Sequence, residues 1–221
     1  ADSFSLAYDH NTYVNNKQLK AKLITVINTK SLTLVFKDNR IRINKLPMHF
    51  SGHFDFLAHG YEMDLNVDSR RTDLENIITA IPPDMSGWLR DTKVKGSTVF
   101  NVRLRGRYDA GTNTMPDLRF NLSINDGYIK HKEATAPLEG LDMALRVRLP
   151  GLNQDSMRVM LDTFHFKLAK GFCDIRFQSL GLERPDIESE IKADLDLNTW
   201  DKAMGLKGVE FGGLYKVDLK A

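Results

Sequence analysis

Three histidines, His49, His53 and His59, are the one cluster of metal-ligating side chains in this sequence, with Asp55 two residues beyond His53. A bound cation needs its donors to converge within a little over 2 Å of one point. His49 and His53 alternate with Phe50 and Phe54, which is strand spacing, and positions four apart on a strand lie about 13 Å apart. They share a face without sharing a coordination sphere, so a solvated strand face is the better reading. His10, His131 and His165 stand among unrelated neighbours. The acid pairs Glu188/Glu190 and Asp194/Asp196 have the residue types of a glycosidase. That chemistry needs two carboxylates opposed across a cleft in unlike environments, and a row of acids along one exposed strand provides neither. The chain has no Gly-x-Ser-x-Gly, no glycine-rich phosphate loop and no His-Glu-x-x-His. Cys173 is the only cysteine, which excludes an internal disulfide and fits a small core residue. The expectation is a protein that is not an enzyme and uses no metal or other cofactor.

The elements that would position these side chains are strands. From Val94 onward, Val94, Gly96, Thr98, Phe100, Val102, Leu104, Gly106 and Tyr108 alternate with a mostly polar set ending in Arg103, Arg105 and Arg107. After a turn-rich segment containing Asp109, Gly111, Asn113 and Pro116, the pattern resumes as Leu118, Phe120, Leu122 and Ile124. A period of two sends alternate side chains to opposite faces, so the two runs predict a long antiparallel hairpin with one apolar and one wet face.

The same pattern recurs along the chain. Phe4, Leu6 and Tyr8 predict a first strand; an Asn-rich loop follows at Asn11, Asn15 and Asn16; a second strand runs from Leu19 to Ile27, where Leu23, Ile24, Val26 and Ile27 make both parities apolar. Leu32 to Phe36 is a third strand, with a turn at Lys37–Arg40 into Ile41 and Ile43, and Met48–Phe56 with Tyr61–Val67 is a second two-faced hairpin. Thr72-Asp73-Leu74-Glu75 fits a capping box, and Leu74, Ile77, Ile78 and Ile81 have helical spacing up to Pro82-Pro83. A turn at Asp126-Gly127 precedes Leu141 to Leu149, and the apolar parity flips between Leu161 and Phe164, predicting a β-bulge near Asp162-Thr163. Cys173 to Phe177, Ile187 to Leu197 and Phe211 to Leu219 are further strands, with a short helical spacing at Trp200 and Met204.

With 221 residues, 42% hydrophobic and 27% charged, the chain has room for one core or two small ones. A net charge of +2, with Lys and Arg read as interleaved with Asp and Glu, argues against a nucleic-acid partner. No apolar run approaches the roughly 20 residues that cross a bilayer, and Ala1-Asp2-Ser3 does not open a signal peptide.

Strands with one oily side either pack against a second sheet as a sandwich or curl so that the oily side lines a groove. Recurrent openings, Pro116-Asp117-Leu118 with Pro185-Asp186-Ile187 and Phe50-Ser51-Gly52 with Phe211-Gly212-Gly213, favour a quasi-repeating sheet growing along one axis. The expected fold is mainly β: an antiparallel meander of long strands curled into a groove or half-barrel, with one or two short capping helices. It is read as one continuous β-rich segment, 1–221, of a longer protein, with approximate internal units 1–92 and 93–221. The expected groove lining is Phe54, Phe56, Phe100, Val102, Leu104, Phe120, Leu122, Ile124, Leu145 and Val147. Strands at both ends predict open edges, hence self-association through Phe4–Tyr8 or Phe211–Leu219.

The residues Phe50-Ser51-Gly52-His53-Phe54-Asp55-Phe56 with Gly60-Tyr61-Glu62-Met63-Asp64-Leu65, followed by Thr72-Asp73-Leu74, Lys95-Gly96, Leu104-Arg105-Gly106, Met115-Pro116-Asp117-Leu118, Asn125-Asp126-Gly127 and Leu206-Lys207-Gly208-Val209, carry a family resemblance. The pattern resembles the C-terminal region of AsmA-like proteins, relatives of TamB that are similar to bridge-like lipid-transfer proteins. The resemblance spans nearly the whole chain through short hydrophobic and glycine patterns. It implies a periplasmic segment of a Gram-negative envelope protein, tethered to the inner membrane by an N-terminal helix outside this sequence. It further implies a β-groove that carries phospholipid acyl chains between inner and outer membrane in support of outer-membrane biogenesis, with no catalytic residues. The competing expectation is a structural or adhesive β-sandwich that binds protein or glycan through its polar face.

Overall fold

A strand with one apolar face is most simply paired with its neighbour in sequence, and the computed structural model, which describes residues 2–8, 11–81, 91–198 and 212–220, follows that rule. Strands β1 (Phe4–Tyr8) and β2 (Asn11–Lys17) form a two-stranded sheet of their own. The next are β3 (Leu19–Lys22), β4 (Thr25–Asn28), β5 (Thr33–Ile43), β6 (Leu46–Leu57), β7 (Gly60–Asp68) and β8 (Thr72–Asp73), and then helix α1 (Leu74–Ala80). They are followed by β9 (Thr92–Tyr108), β10 (Asp117–His131), β11 (Leu138–Leu149), β12 (Arg158–Leu168), β13 (Gly171–Leu180), β14 (Asp186–Asp196) and β15 (Leu214–Lys220). All strands from β3 on form one 13-stranded antiparallel sheet ordered β15-β14-β13-β12-β11-β10-β9-β7-β6-β5-β3, with β4 also paired to β5 and β8 to β9. The fold is a meander curled into an open groove, not closed into a barrel, with α1 as the one short α-helix that lies wholly within the described residues.

Several local expectations are corrected. Lys37–Arg40 is not a turn: β5 runs through it with a bulge between Phe36 and Asn39. The bulge explains the split of the Leu19–Ile27 run, because β3 pairs with one half of β5 and β4 with the other. Asn39 is fully buried there, its Oδ1 accepting the Ile24 N–H, while the Lys37 N–H donates to the Ile24 carbonyl at 3.0 Å. The Asn-rich segment is strand β2 rather than a loop. Asp126-Gly127 is likewise inside a strand, at a register shift of β10 between Asn125 and Tyr128. The bulge expected near Asp162-Thr163 is present, since β12 slips between Leu161 and Phe164 against β13.

The helix begins differently from its predicted capping box. Thr72 and Asp73 pair with Thr98 and Ser97 as β8, the N-cap Asp73 makes no side-chain cap, and Glu75 instead meets Lys45 Nζ at 2.9 Å. At the other end Lys17 Nζ donates to the Thr79 and Ile81 carbonyls, both at 3.0 Å, and Asn44 Nδ2 to Thr79 O at 2.7 Å. A cation and an amide thus satisfy carbonyls that a helix end leaves free. The edges also move: β15 is one edge of the large sheet, but the other is β3 with β4, since β1 pairs only with β2. Trp200, Met204 and Phe211 lie outside the described residues.

Candidate functional site

Cross-strand register turns the period-two pattern into rows. Phe50, Val67, Val102, Phe120, Val147 and Val159 stand directly opposite one another on β6, β7, β9, β10, β11 and β12, and the row continues to Ser179 and Ile187. Beside it runs Phe100, Leu122, Leu145, Leu161 and Phe177, and on its other side Leu65, Leu104, Leu118 and Leu149. With strands about 4.8 Å apart, a row crossing eight of them is roughly 34 Å long. Gly52 interrupts the third row between Phe36 and Leu65. Its φ is +140° and a Cβ would lie 2.0 Å from the Asp64 carbonyl oxygen, so only glycine fits. At the β6–β7 end Phe54, Phe56, Tyr61 and Tyr108 form an aromatic ladder with ring centroids 5.1 to 6.0 Å apart.

The apolar face has two regimes. Toward α1, Leu74, Val94, Ile124, Leu141, Phe166, Leu168, Cys173, Ala193 and Leu195 make a dry cluster, each under a tenth exposed. Phe54, Phe100, Val102, Leu104, Phe120, Leu122, Leu145 and Val147 are only half-buried, and Phe56 is 44% exposed. All ten expected lining residues lie on this one face, but Ile124, 8% exposed, belongs to the dry cluster and not to the open lining. The half-buried side chains are flanked by cross-strand neighbours and remain partly exposed. Among the described residues no second large sheet lies opposite them.

No family model, curated protein or solved structure matches this chain.

Sequence reasoning missed Phe50, Leu65, Val67, Leu118, Val159, Leu161 and Phe177 as lining. Each carries the same period-two signal, and only cross-strand register joins it to the chosen residues.

The polar face is laced with ion pairs. Arg103 forks onto Asp64 with Nε–Oδ1 at 2.7 Å and Nη2–Oδ2 at 2.5 Å, and Arg105 approaches the same carboxylate at 3.6 Å. The Arg103 hydrogen bonds hold the Asp64 carboxyl below the usual Asp range; burial opposes them, and the charges of Arg103, Arg105 and His53 add to the lowering. Arg146 forks onto Asp162 at 2.6 and 2.5 Å, His165 Nδ1 lies 2.6 Å from Asp174, and Lys216 lies 3.5 Å from Asp194. His49 and His53 each face a separate carboxylate, Asp38 at 3.4 Å and Asp55 at 3.7 Å, and do not converge. Glu190 meets Arg176 at 3.5 Å and Lys192 at 3.7 Å, while Glu188 accepts from Gln178. On the apolar face, burial pushes the Cys173 thiol upward, with the Asp174 charge adding to it. Such a thiol stays protonated and unreactive at neutral pH. What the arrangement offers is extended apolar contact without directional polar groups.

Proposed function

We propose that this chain is a non-enzymatic, periplasmic segment of an AsmA-like envelope protein whose apolar groove carries phospholipid acyl chains between inner and outer membrane, supporting outer-membrane biogenesis. Tethering to the inner membrane by an N-terminal helix outside this sequence belongs to the same reading. The observation that supports it is the set of continuous apolar rows, half-buried along their length, on the inner side of an open sheet. Exposed apolar surface costs about 25 cal/mol per Å² relative to burial, and contiguous apolar patches on soluble proteins usually mark something that binds there. An acyl chain suits this lining because it is held by contact area alone and asks for no hydrogen-bond partner. The family resemblance supplies the direction, since a groove of this kind is what AsmA-like proteins are expected to build.

The test is to purify the chain from a Gram-negative host and analyse extracted lipid by mass spectrometry, alongside Leu122→Asp. The parent should retain phospholipid in near-stoichiometric amount, and the variant should stay folded and lose it. A lipid-free parent that also fails to take up a fluorescent phospholipid would refute the proposal and turn attention to protein or glycan binding on the polar face.

A further inference from the structure

The charges of this chain are not evenly interleaved everywhere. From Lys17 to Lys45 it carries eight Lys and Arg against one acid, Asp38, although the whole protein is only +2. Lys17 is used by the end of α1 and Lys45 by Glu75. The main group of the remainder gathers at the sheet edge. Lys20 stands directly opposite Arg42 and Lys22 directly opposite Arg40. Together with His49 and Arg70 they line an open depression of about 500 Å³ that has no carboxylate in its lining. Asp38 reaches Arg40 only at 3.8 Å and is shared with His49. Like charges directly opposite on a ladder destabilise it, a cost that an anionic counterpart removes. Cations also face one another elsewhere, as Lys93 with Lys130 and in the row Arg103, Arg119, Arg148 and Arg158. In that row Arg103 is paired with Asp64 and the other three share their depression with Asp117 and Asp155, whereas four cations, not counting Arg70, line the depression at the β3 edge without a carboxylate in the lining.

Beside these cations the chain exposes aliphatic side chains. Leu23, Ile24, Val26 and Ile27 are 60, 47, 47 and 61% exposed, and Leu32 is 56% exposed. Both parities of this run are apolar, and the structure shows where they go. Strand β4 is an edge strand without a single charged residue, and its side chains project into solvent on both sides. Edge strands are normally blunted by charge; Lys20 and Lys22 do this for β3, and nothing does it for β4.

Cations next to exposed aliphatics match one partner best. At an anionic bilayer the aliphatics enter the boundary of headgroups and acyl chains while Lys and Arg meet lipid phosphates. A second copy meeting edge to edge would set cations on cations. A nucleic acid would leave the aliphatics in water, and no Phe, Tyr or Trp lines the depression to stack a base. We propose that the β3–β4 edge docks on an anionic phospholipid bilayer, with the basic depression on lipid phosphates and the Leu23–Ile27 run in the interface. This docking is independent of what the groove holds.

The test is co-sedimentation with large unilamellar vesicles, either pure phosphatidylcholine or phosphatidylcholine with phosphatidylglycerol at about two to one, across a salt series. The parent should bind only the anionic vesicles and release as salt rises. K20E/R42E keeps a like-charge pair on the ladder while reversing the field, and should weaken binding by about 100-fold. L23S/I27S changes side chains that are already about 60% exposed, so the fold, checked by circular dichroism, should persist while vesicle binding falls at least about tenfold. Binding that ignores lipid charge, or is unchanged in either variant, would overturn the proposal. Tighter association with a single-stranded oligonucleotide than with anionic vesicles would overturn it in favour of a nucleic-acid surface.

Discussion

Leu122 and Ile124 are two residues apart on the same face of β10, yet they fall on opposite sides of the boundary between open lining and dry cluster. Truncation to Ala removes three carbons from each. For Ile124, buried to 8% exposure, each carbon returns about 0.8 kcal/mol of transfer free energy. The cavity left among Val94, Leu141 and their neighbours adds to that, for a total of about 3 to 4 kcal/mol. For Leu122, between about a tenth and a third exposed, most of the transfer term applies but solvent or lipid fills the space, leaving about 2 kcal/mol. The difference, about 1.5 kcal/mol, is roughly a tenfold change in the unfolding equilibrium constant. Urea denaturation of lipid-free protein at unchanged m-value resolves it. The Asp variants sharpen the contrast: Ile124→Asp puts an unpaired carboxylate in a dry cluster and should abolish folding, whereas Leu122→Asp can hydrate its charge and should fold. Equal losses within about 0.5 kcal/mol for the two Ala variants, or an unfolded Leu122→Asp, would refute the division of the face on which the groove rests.

Three further outcomes follow from particular contacts. Gly52→Ala combines a positive φ with a Cβ 2.0 Å from the Asp64 carbonyl oxygen and should cost about 2 to 4 kcal/mol in a thermal or urea melt; a neutral result would mean that β6 and β7 separate there freely. Asp64 titrates below its ordinary value of 3.8 in the folded chain, so its contribution is present above about pH 4 and is lost as pH falls through the folded-state pKa. As a partly exposed pair it is worth at most about 1 kcal/mol, and Asp64→Asn should lower stability at pH 7 by that amount and flatten the parent's loss as pH falls below about 4; an unaltered pH profile would contradict this. Lys17→Met leaves the Thr79 and Ile81 carbonyls without their cation and should cost about 1 to 2 kcal/mol, with faster hydrogen exchange in α1 and little change in β10 as the readout.

Most strands were legible because they bury one face only, so hydrophobic alternation survives in them; β4, exposed on both faces, is the exception. The hairpins β6–β7 and β9–β10, the slip at Asp162-Thr163 and the short helix can all be read from residue spacing. What could not be read were events in which the backbone changes partner without breaking the strand. Asp126-Gly127 has turn composition, and Asp126 does adopt φ of 50°, but its neighbours on β9 and β11 keep β10 extended through the bulge. Lys37–Arg40 misleads for the same reason, with the Asn39 side chain holding the link between β3 and β4, at Ile24, against β5 where a turn would have reversed the chain. The capping box failed because Thr72 and Asp73 found strand partners on β9 first. For the site, parity puts the ten residues on one face but carries no depth, since Ile124, which is buried, and Leu122, which is not, are indistinguishable by period.

Depth follows from where the bulges fall. Strict alternation along every strand would extend the apolar rows evenly from one end of the strands to the other. Instead β10 slips between Asn125 and Tyr128, β11 between Glu139 and Asp142, and β12 between Leu161 and Phe164. These three slips flank a single cross-strand row, Ile124–Met143–Phe164. A bulge bends its strand and increases local twist, so bulges in three neighbours at one level bend the sheet along a line. On the α1 side of that line the sheet turns its apolar face inward onto Leu74 of α1, and Leu141, Phe166, Cys173 and Ala193 become dry. On the other side the rows through Phe100 and Val102 stay open. The folding core and the candidate binding surface are therefore one apolar face divided by a bend, which allows the same residue types to hold the protein together at one end and to remain available to a ligand at the other.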